Sequence, residues 1–432
     1  MQTQFKRYLP FGMMLIAALS ACAATKPGKY QFHVRDGRLM RGASVFTLNA
    51  IETPDLAAPG ATLGDVAAKL NRASEVGADS VCFELQGFSE DGASFPREAQ
   101  RTVKRIMEQA TWRRMGALCR VFAKDAPQDQ AYRRRAVKAA AAALERENRA
   151  VYWIDGPDCA ALAAAFKEIA PDLAVAAEQG GDVTVVSAVP ENPEGGPYLV
   201  AGEMPLRELR ETYNYVMPGT DEAYAAFDKA MADPAELQPW TPDNSVLSEA
   251  ERADGWISLF DGKSLDGWWI QGSNKKGFRV KDGAIEWAGP GATMLMTHDR
   301  YDNYILRLEW KIIKKGNSGM SLRIPRANRA SKIGMEFQLQ GDYGREPEKH
   351  ITGAIYDVAA PRVNAGKPPM EWNEVEITLD GPKLKAVLNG QVVQDRNLDE
   401  DDELRYRLRR GFIGLQDHGC YVAFRNIRIK PL

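Results

Sequence analysis

The sequence predicts two domains of different class: an α/β domain, built as a partial (β/α) barrel or an open parallel sheet, then an all-β sandwich of jelly-roll type. Three observations carry this. The chain has 432 residues, too many for one ordinary core. From Ala43 to about Ala188 short apolar runs alternate with helical stretches, with strands recurring about every 35 residues as parallel crossover units require. From Asp254 onward the texture changes to Asp-Gly turns and period-two alternation. The composition, 44% hydrophobic and 26% charged, is that of a globular protein. With 56 Lys+Arg against 58 Asp+Glu, a general polyanion binder is excluded, and no nucleic-acid partner is expected.

Taken in order, residues 1–22 read as an export signal. Lys6 and Arg7 precede an apolar run from Leu9 to Leu19 that is too short to span a membrane, and Leu19-Ser-Ala-Cys22 resembles the bacterial lipobox. That resemblance implies a lipid anchor at Cys22. Ala23 and Ala24, in place of Asp, imply the outer membrane facing the periplasm. The alternative is an ordinary signal peptide cut elsewhere.

Residues 30–205 form the expected barrel-like domain. Ser44–Leu48 reads as a strand, and Thr62 with Asp65 as the N-cap of a helix that closes at Gly77. Strands at 80–85, 117–122 and 151–155 follow, with helices over 97–113, 129–147 and 159–169 and weaker strands at 173–177 and 183–187. The region is shorter than the roughly 250 residues of a complete eightfold barrel, hence the partial reading. Asp36–Ala43 looks like the opening of glycosidase barrels. The fourth strand, however, ends Trp153-Ile-Asp-Gly-Pro-Asp158, without the Asn-Glu pair such barrels use. Glu84 and Asp155 lie near strand C-termini, where barrel chemistry sits, but a structural role is the favoured reading. Arg133–Arg135 is expected on a solvated helix face, and Cys82 and Cys119 as buried free thiols. Residues 206–253 read as a linker or collar with a short helix over 221–232.

The sandwich is expected over 254–432. In Tyr304–Ile312 the residues Tyr304, Leu306, Leu308, Trp310 and Ile312 share one face, while Arg307, Glu309 and Lys311 share the other. Asp-Gly at 282–283 and 380–381 and Asn389-Gly390 mark hairpin turns.

Seven segments then carry a resemblance in order and spacing. They are Trp256-Ile-Ser-Leu-Phe-Asp-Gly-Lys-Ser-Leu-Asp-Gly-Trp268, Gly316-Asn-Ser-Gly319, Glu336-Phe-Gln338, Gly353-Ala-Ile-Tyr356, Glu371-Trp-Asn-Glu374, Leu388-Asn-Gly390 and Gly414-Leu-Gln-Asp-His-Gly419. Residues 254–432 resemble the 3-keto-disaccharide hydrolase family. The resemblance implies a concanavalin-like fold and cleavage of glycosides already oxidised to a ketone at C3.

Such a ketone acidifies the C2 hydrogen, so cleavage by elimination and rehydration needs a base at C2 and a group that polarises the carbonyl. In Glu336-Phe-Gln-Leu-Gln340, alternation puts Glu336, Gln338 and Gln340 on one face; Ser321 and Arg323 alternate likewise. Candidate catalytic residues are Glu336, His418 and His350; candidate substrate contacts are Asn317, Arg323, Gln338, Tyr356, Trp372 and Asp417. A divalent metal, held by Glu336, Asp342 or His418, is an alternative electrophile. Each has a plainer rival: a Glu336–Arg323 ion pair, a turn-tying His418, a core Trp372. His298 reads as a surface histidine. No nicotinamide or flavin fingerprint is present, so a separate sugar 3-dehydrogenase would make the ketone. Two rival functions stay open: a non-catalytic carbohydrate-binding sandwich, and an N-terminal glycosidase with a C-terminal binding module.

Overall fold

Short β-rich runs separated by amphipathic helices have one economical arrangement, a parallel sheet with helices outside, and here that sheet closes on itself. The structure, a computed structural model, describes residues 28–36, 38–186, 197–201, 214–271, 277–290 and 293–432. The expected leader and Cys22 lie outside these, as does part of the segment read as linker. Among the described residues no helix is long and apolar enough to cross a membrane.

A small antiparallel sheet comes first: β1 (Phe32–Arg35), β2 (Arg38–Arg41) and β3 (Ser44–Val45). Eight parallel strands follow: β4 (Asn49–Glu52), β5 (Ser80–Glu84), β6 (Gly116–Arg120), β7 (Val151–Trp153), β8 (Ala174–Ala177), β9 (Val183–Val186), β10 (Tyr198–Ala201) and β11 (Asn214–Met217). Each pairs with its successor, and β11 returns to β4. Of the two expected arrangements the open sheet is therefore excluded. Among the described residues, helices α1 (Leu63–Glu75), α2 (Arg97–Trp112), α3 (Gln130–Leu144) and α4 (Cys159–Ile169) follow β4 to β7, and α5 (Asp221–Met231) follows β11, while β8 turns directly into β9.

Two boundaries differ from expectation. The barrel runs past residue 205, because the closing strand β11 is four residues long and carries little periodicity; α5 packs Tyr224 and Phe227 into the barrel's outer core. Ser44–Val45 pairs with β2, so the first barrel strand starts at Asn49, fixed by its backbone N–H and side chain donating to the Asp79 carboxylate at 2.8 and 2.7 Å. Thr62 does cap α1: its hydroxyl accepts from Asp65 N at 3.2 Å, and Asp65 accepts from Thr62 N at 2.8 Å. Arg133 turns inward from α3 to Asp158 and over Phe122, while Cys82 and Cys119 are buried free thiols. Phe32 and Leu39 join Leu48, Ala50, Leu118 and Val216 in the barrel lumen, and Phe32 N donates to Asn148 O just before β7, so the β1–β3 sheet seals the N-terminal end.

A helical turn α6 (Glu249–Ala253) leads into the sandwich. One sheet orders β14 (Phe278–Lys281), β15 (Ala284–Trp287), β24 (Val422–Pro431), β17 (Tyr304–Ile312), β20 (Asn373–Asp380), β21 (Lys383–Leu388) and β22 (Gln391–Asn397), with β12 (Ile257–Ser258) added on β24. The other orders β13 (Trp268–Gln271), β16 (Met294–Thr297), β23 (Phe412–Gln416), β18 (Asn317–Ile324) and β19 (Met335–Gln340). Strand β17 is buried at every second residue as its alternation requires, and Asn389-Gly390, both at positive φ, forms the tight β21–β22 turn. This is the concanavalin-like jelly-roll sandwich, with its core between the sheets.

The domains meet along the segment joining β18 to β19, which holds the short helix α7 (Ala330–Ile333). Asn328 donates to Ser74 Oγ at 2.8 Å and Ala78 O at 2.7 Å, while Arg326 and Arg300 pair with Asp228 of the barrel domain. The five-stranded sheet thus turns its outer face toward the side on which the barrel sits. His298 belongs to this collar and is not a free surface residue: it bonds Gln238 O at 2.8 Å beside Trp240.

Candidate active site

Alternation along β19 decides what its polar residues can do. Phe337 and Leu339 enter the core, so Glu336 and Gln338 must lie on the outer face of the five-stranded sheet. Register brings their neighbours: Ser321 stands beside Glu336 on one side and Gly414 on the other, and Gly319 stands beside Gln338. Gln416 shares this face through β23, opposite Met294.

Glu336 is the centre of the group. Only 6% of it is exposed, and burial pushes its carboxyl up to about 7; the more distant Arg329 guanidinium and a hydrogen bond with the Gln416 side chain oppose that rise. No cation lies within ion-pair distance of it among the described residues. Its space is made by a missing side chain: a Cβ at Gly319 would stand 2.6 Å from Glu336 Oε1 and 3.0 Å from Gln416 Oε1. Gln338 Nε2 donates to Asn317 Oδ1 at 2.7 Å. Its own Oε1 has no partner, nor has Ser321 Oγ or Gln416 Oε1, although all three are buried. Buried polar atoms left open next to a near-neutral carboxyl are what a hydroxyl-rich ligand would complete.

Other expected site residues fall at varying distance from this centre. Tyr356 meets it through the backbone, its N donating to Glu336 O at 2.9 Å, and its ring lies 5.1 Å from His350. His350 is half-exposed and reaches Asp357 at 3.4 Å; Asp357 in turn holds Lys332 at 2.8 Å. Asp417, not His418, ties the turn, accepting from Trp287 Nε1 at 3.0 Å and Gly419 N at 2.7 Å. His418 is exposed, and partial burial of its ring lowers its pKa against the opposing charge of Asp417.

Three expectations are corrected. Arg323 is neither an electrophile nor a partner of Glu336. A bulge between Ser321 and Ile324, with Arg323 itself at φ 51°, turns its fully buried guanidinium to Asp302 O (2.7 Å), Gly381 O (3.0 Å) and Asn303 Oδ1 (3.1 Å). Trp372 is neither core nor a platform beside Glu336. It lies under Arg425 (4.1 Å) and Lys311 (4.7 Å) on the outward face of the seven-stranded sheet. Glu336, Asp342 and His418 do not converge: no group of three or more His, Cys, Asp or Glu among the described residues is placed to hold a metal. Asp342 instead accepts from Thr352 N at 2.8 Å. Gln416 and Arg329 were not singled out by residue type. The alternation from Gly414 would have found Gln416, whereas Arg329 sits in a connecting segment with no period to read.

The barrel mouth is a different arrangement. Arg120 lies 3.0 Å from Glu52, 3.3 Å from Glu84 and 3.7 Å from Asp155, and 4.0 Å over the Trp153 ring. Both carboxylates picked from the strand ends are thus tied to one guanidinium.

Comparison with known proteins follows the same division. A 3-keto-disaccharide hydrolase from Bacteroides thetaiotaomicron is 27% identical, over 42% of this chain and 79% of that protein. A crystal structure from Parabacteroides distasonis is 28% identical, covering 43% of this chain and 98% of that one, at a TM-score of 0.38. The carbohydrate-binding module CBM66 from Bacillus subtilis is 12% identical over 38% of this chain and 94% of that one, at a TM-score of 0.29. Residues 255–430, the C-terminal sandwich, match the family model of the 3-keto-alpha-glucoside-1,2-lyase-like domain.

Proposed function

We propose that the sandwich cleaves glycosides carrying a ketone at C3, with Glu336 as the base that takes the C2 proton. The observation that carries this is Glu336 itself, a carboxyl poised near neutrality beside unpartnered amide and hydroxyl groups. Proton transfer from C2 to Glu336 leaves an enolate on the C3 oxygen. The C3 carbonyl re-forms as a C1–C2 double bond appears and the glycosidic oxygen departs from C1, taking a proton from Glu336 or water. Water then adds at C1 and a proton returns to C2. The amides of Gln338, Gln416 and Asn317 are the groups on this face able to donate to the developing enolate. Similarity to a curated 3-keto-disaccharide hydrolase supports the substrate class.

The ketone itself would come from a separate sugar dehydrogenase. Export and lipidation at Cys22 belong to the same proposal, and labelling with radioactive palmitate, lost in Cys22→Ser, tests them.

The main test is turnover by the full chain of p-nitrophenyl 3-keto-glucosides, α and β, beside the unoxidised glucosides. Cleavage confined to the keto substrates, with a primary isotope effect from deuterium at C2 and loss in Glu336→Gln, is the expected result. Saturable binding without turnover would instead establish a carbohydrate-binding sandwich.

A further inference from the structure

A cleft of about 990 Å³ lies where the β1–β3 sheet and the C-terminal end of α2 face Arg329 of the sandwich domain. Its size is that of a small-molecule site. Five cationic side chains, Lys29, Arg41, Arg114, Arg149 and Arg329, face one carboxylate, Glu108. Arg149 is neutralised by Glu147, but the other four cations have no carboxylate within 4.0 Å among the described residues. Over the whole chain the charges balance, with 56 basic against 58 acidic residues. Five cations against one carboxylate are thus an excess over what the composition alone would place there.

Arg41 is also built in. It donates to Arg114 O at 2.9 Å and Met115 O at 2.7 Å, and its guanidinium lies 5.2 Å from the Tyr30 ring and 5.3 Å from that of Phe46. Its Nε is buried without a partner. Tyr30, Phe46 and Trp112, the last 38% exposed, give the wall flat apolar surfaces among the charges. Such a wall fits a ring with one apolar face and an oxyanion, and the planar guanidinium fork suits carboxylate and phosphate alike.

Arg329 links this cleft to the Glu336 strand: it lines the cleft, its backbone N donates to Arg113 O at 3.1 Å just past α2, and it caps α7, which leads through Gly334 directly into β19. We propose that the cleft binds a saccharide unit bearing an oxyanion, a carboxylate or a phosphate ester, and that this unit is the leaving-group end of the substrate cleaved at Glu336. The second half of that statement rests on the function proposed above; the first does not.

Isothermal titration calorimetry of the full chain separates the two. Glucuronate and glucose 6-phosphate are the anionic probes, glucose the neutral control, and Glu336→Gln is titrated in parallel so that binding is read without turnover. At least one anionic probe is expected to bind tenfold or more tighter than glucose, in the native protein and in Glu336→Gln alike. Arg114→Asn, which keeps a residue tolerant of the left-handed backbone at φ 64°, and Lys29→Ala are each expected to weaken it severalfold, and together at least tenfold, with unchanged circular dichroism. Equal affinity for glucose, no binding of either anion, or binding indifferent to both substitutions would overturn the proposal. So would association with phosphatidylglycerol vesicles in the absence of sugar binding, which would make the cleft a membrane contact. If anion binding holds but keto-glycosides are not cleaved, the catalytic reading fails and the cleft stands.

Discussion

The barrel mouth and the outer face of the five-stranded sheet both present buried carboxyl groups, and they resolve the cost of burial in opposite ways. At the mouth, Glu52, Glu84 and Asp155 surround Arg120, and Lys124 adds a second cation 3.0 Å from Glu52. Charge meets charge, and the group is spent on holding the strand ends together. On the sheet, Glu336 has no contacting cation among the described residues, only an amide and a distant guanidinium, so burial lifts its carboxyl to about 7. A carboxylate becomes useful for proton transfer at neutral pH when its environment leaves it unpaired. By that criterion the position of Glu84 and Asp155 at barrel strand ends is misleading, while Glu336, in the middle of a sandwich strand, meets it.

Exchanging carboxyl for amide in both places should break the comparison if it is wrong. Glu336→Gln is expected to lower kcat/KM on a 3-keto-glucoside by about a thousandfold, within the usual range for removing a general base. Glu84→Gln and Asp155→Asn are expected to stay within about threefold of the native rate, since nothing in the proposed reaction passes through them. Comparable losses at Glu84 would move the chemistry to the barrel. Stability should show the reverse order. Arg120→Met leaves Glu84 buried without its partner and is expected to cost about 3–5 kcal/mol in urea unfolding, with turnover below the transition unaffected.

The raised carboxyl of Glu336 also sets a pH dependence. Its folded pKa of about 7 lies above the ordinary 4.5, so its contribution to stability is fully present below pH 4.5 and is lost as pH rises through 7. The amount is about 3 kcal/mol. The proposed proton abstraction needs the ionised form, so kcat/KM should rise through the same window and level off above it. Native protein and Glu336→Gln, unfolded in urea at pH 5 and pH 8, should therefore diverge, with the variant gaining relative stability at the higher pH. Parallel curves would mean that Glu336 titrates normally and would remove the basis for assigning it as the base.

Legibility in the sequence followed periodicity. Alternation in Tyr304–Ile312 and Glu336–Gln340 placed the sandwich core and the Glu336 face correctly, because one residue in two has to face inward. The capping signal of Thr62 and Asp65 placed α1 for a similarly local reason. What local pattern could not supply was geometry fixed by exceptions to it. The bulge that diverts Arg323 has no signature beyond the residue's own strained φ, and the four-residue β11 is too short to show a period although it closes the barrel. Trp372 looked like core from its type alone, yet its partners are Arg425 and Lys311, which no spacing brings together. Arg120, the residue that decides what the barrel carboxylates do, lies 36 residues from Glu84, and its role is visible only once parallel pairing sets β6 beside β5.

The smallest expected effect tests how closely the Glu336 face is built. Gly319 is at an ordinary strand position, so its need for glycine is steric and not conformational: an added methyl meets Glu336 Oε1 at 2.6 Å and Gln416 Oε1 at 3.0 Å. Both are ends of side chains with freedom to shift, so Gly319→Ala should fold, at a cost of about 1 kcal/mol for the displaced contacts. The carboxyl, however, has to move off the β18 backbone, and so away from the position the proposed proton transfer requires of it. Such a displacement is expected to lower kcat about tenfold while leaving KM near its native value, because proton transfer is more sensitive to position than binding is. A KM effect with kcat intact would show that this strand contributes to holding the sugar and that the base stands elsewhere.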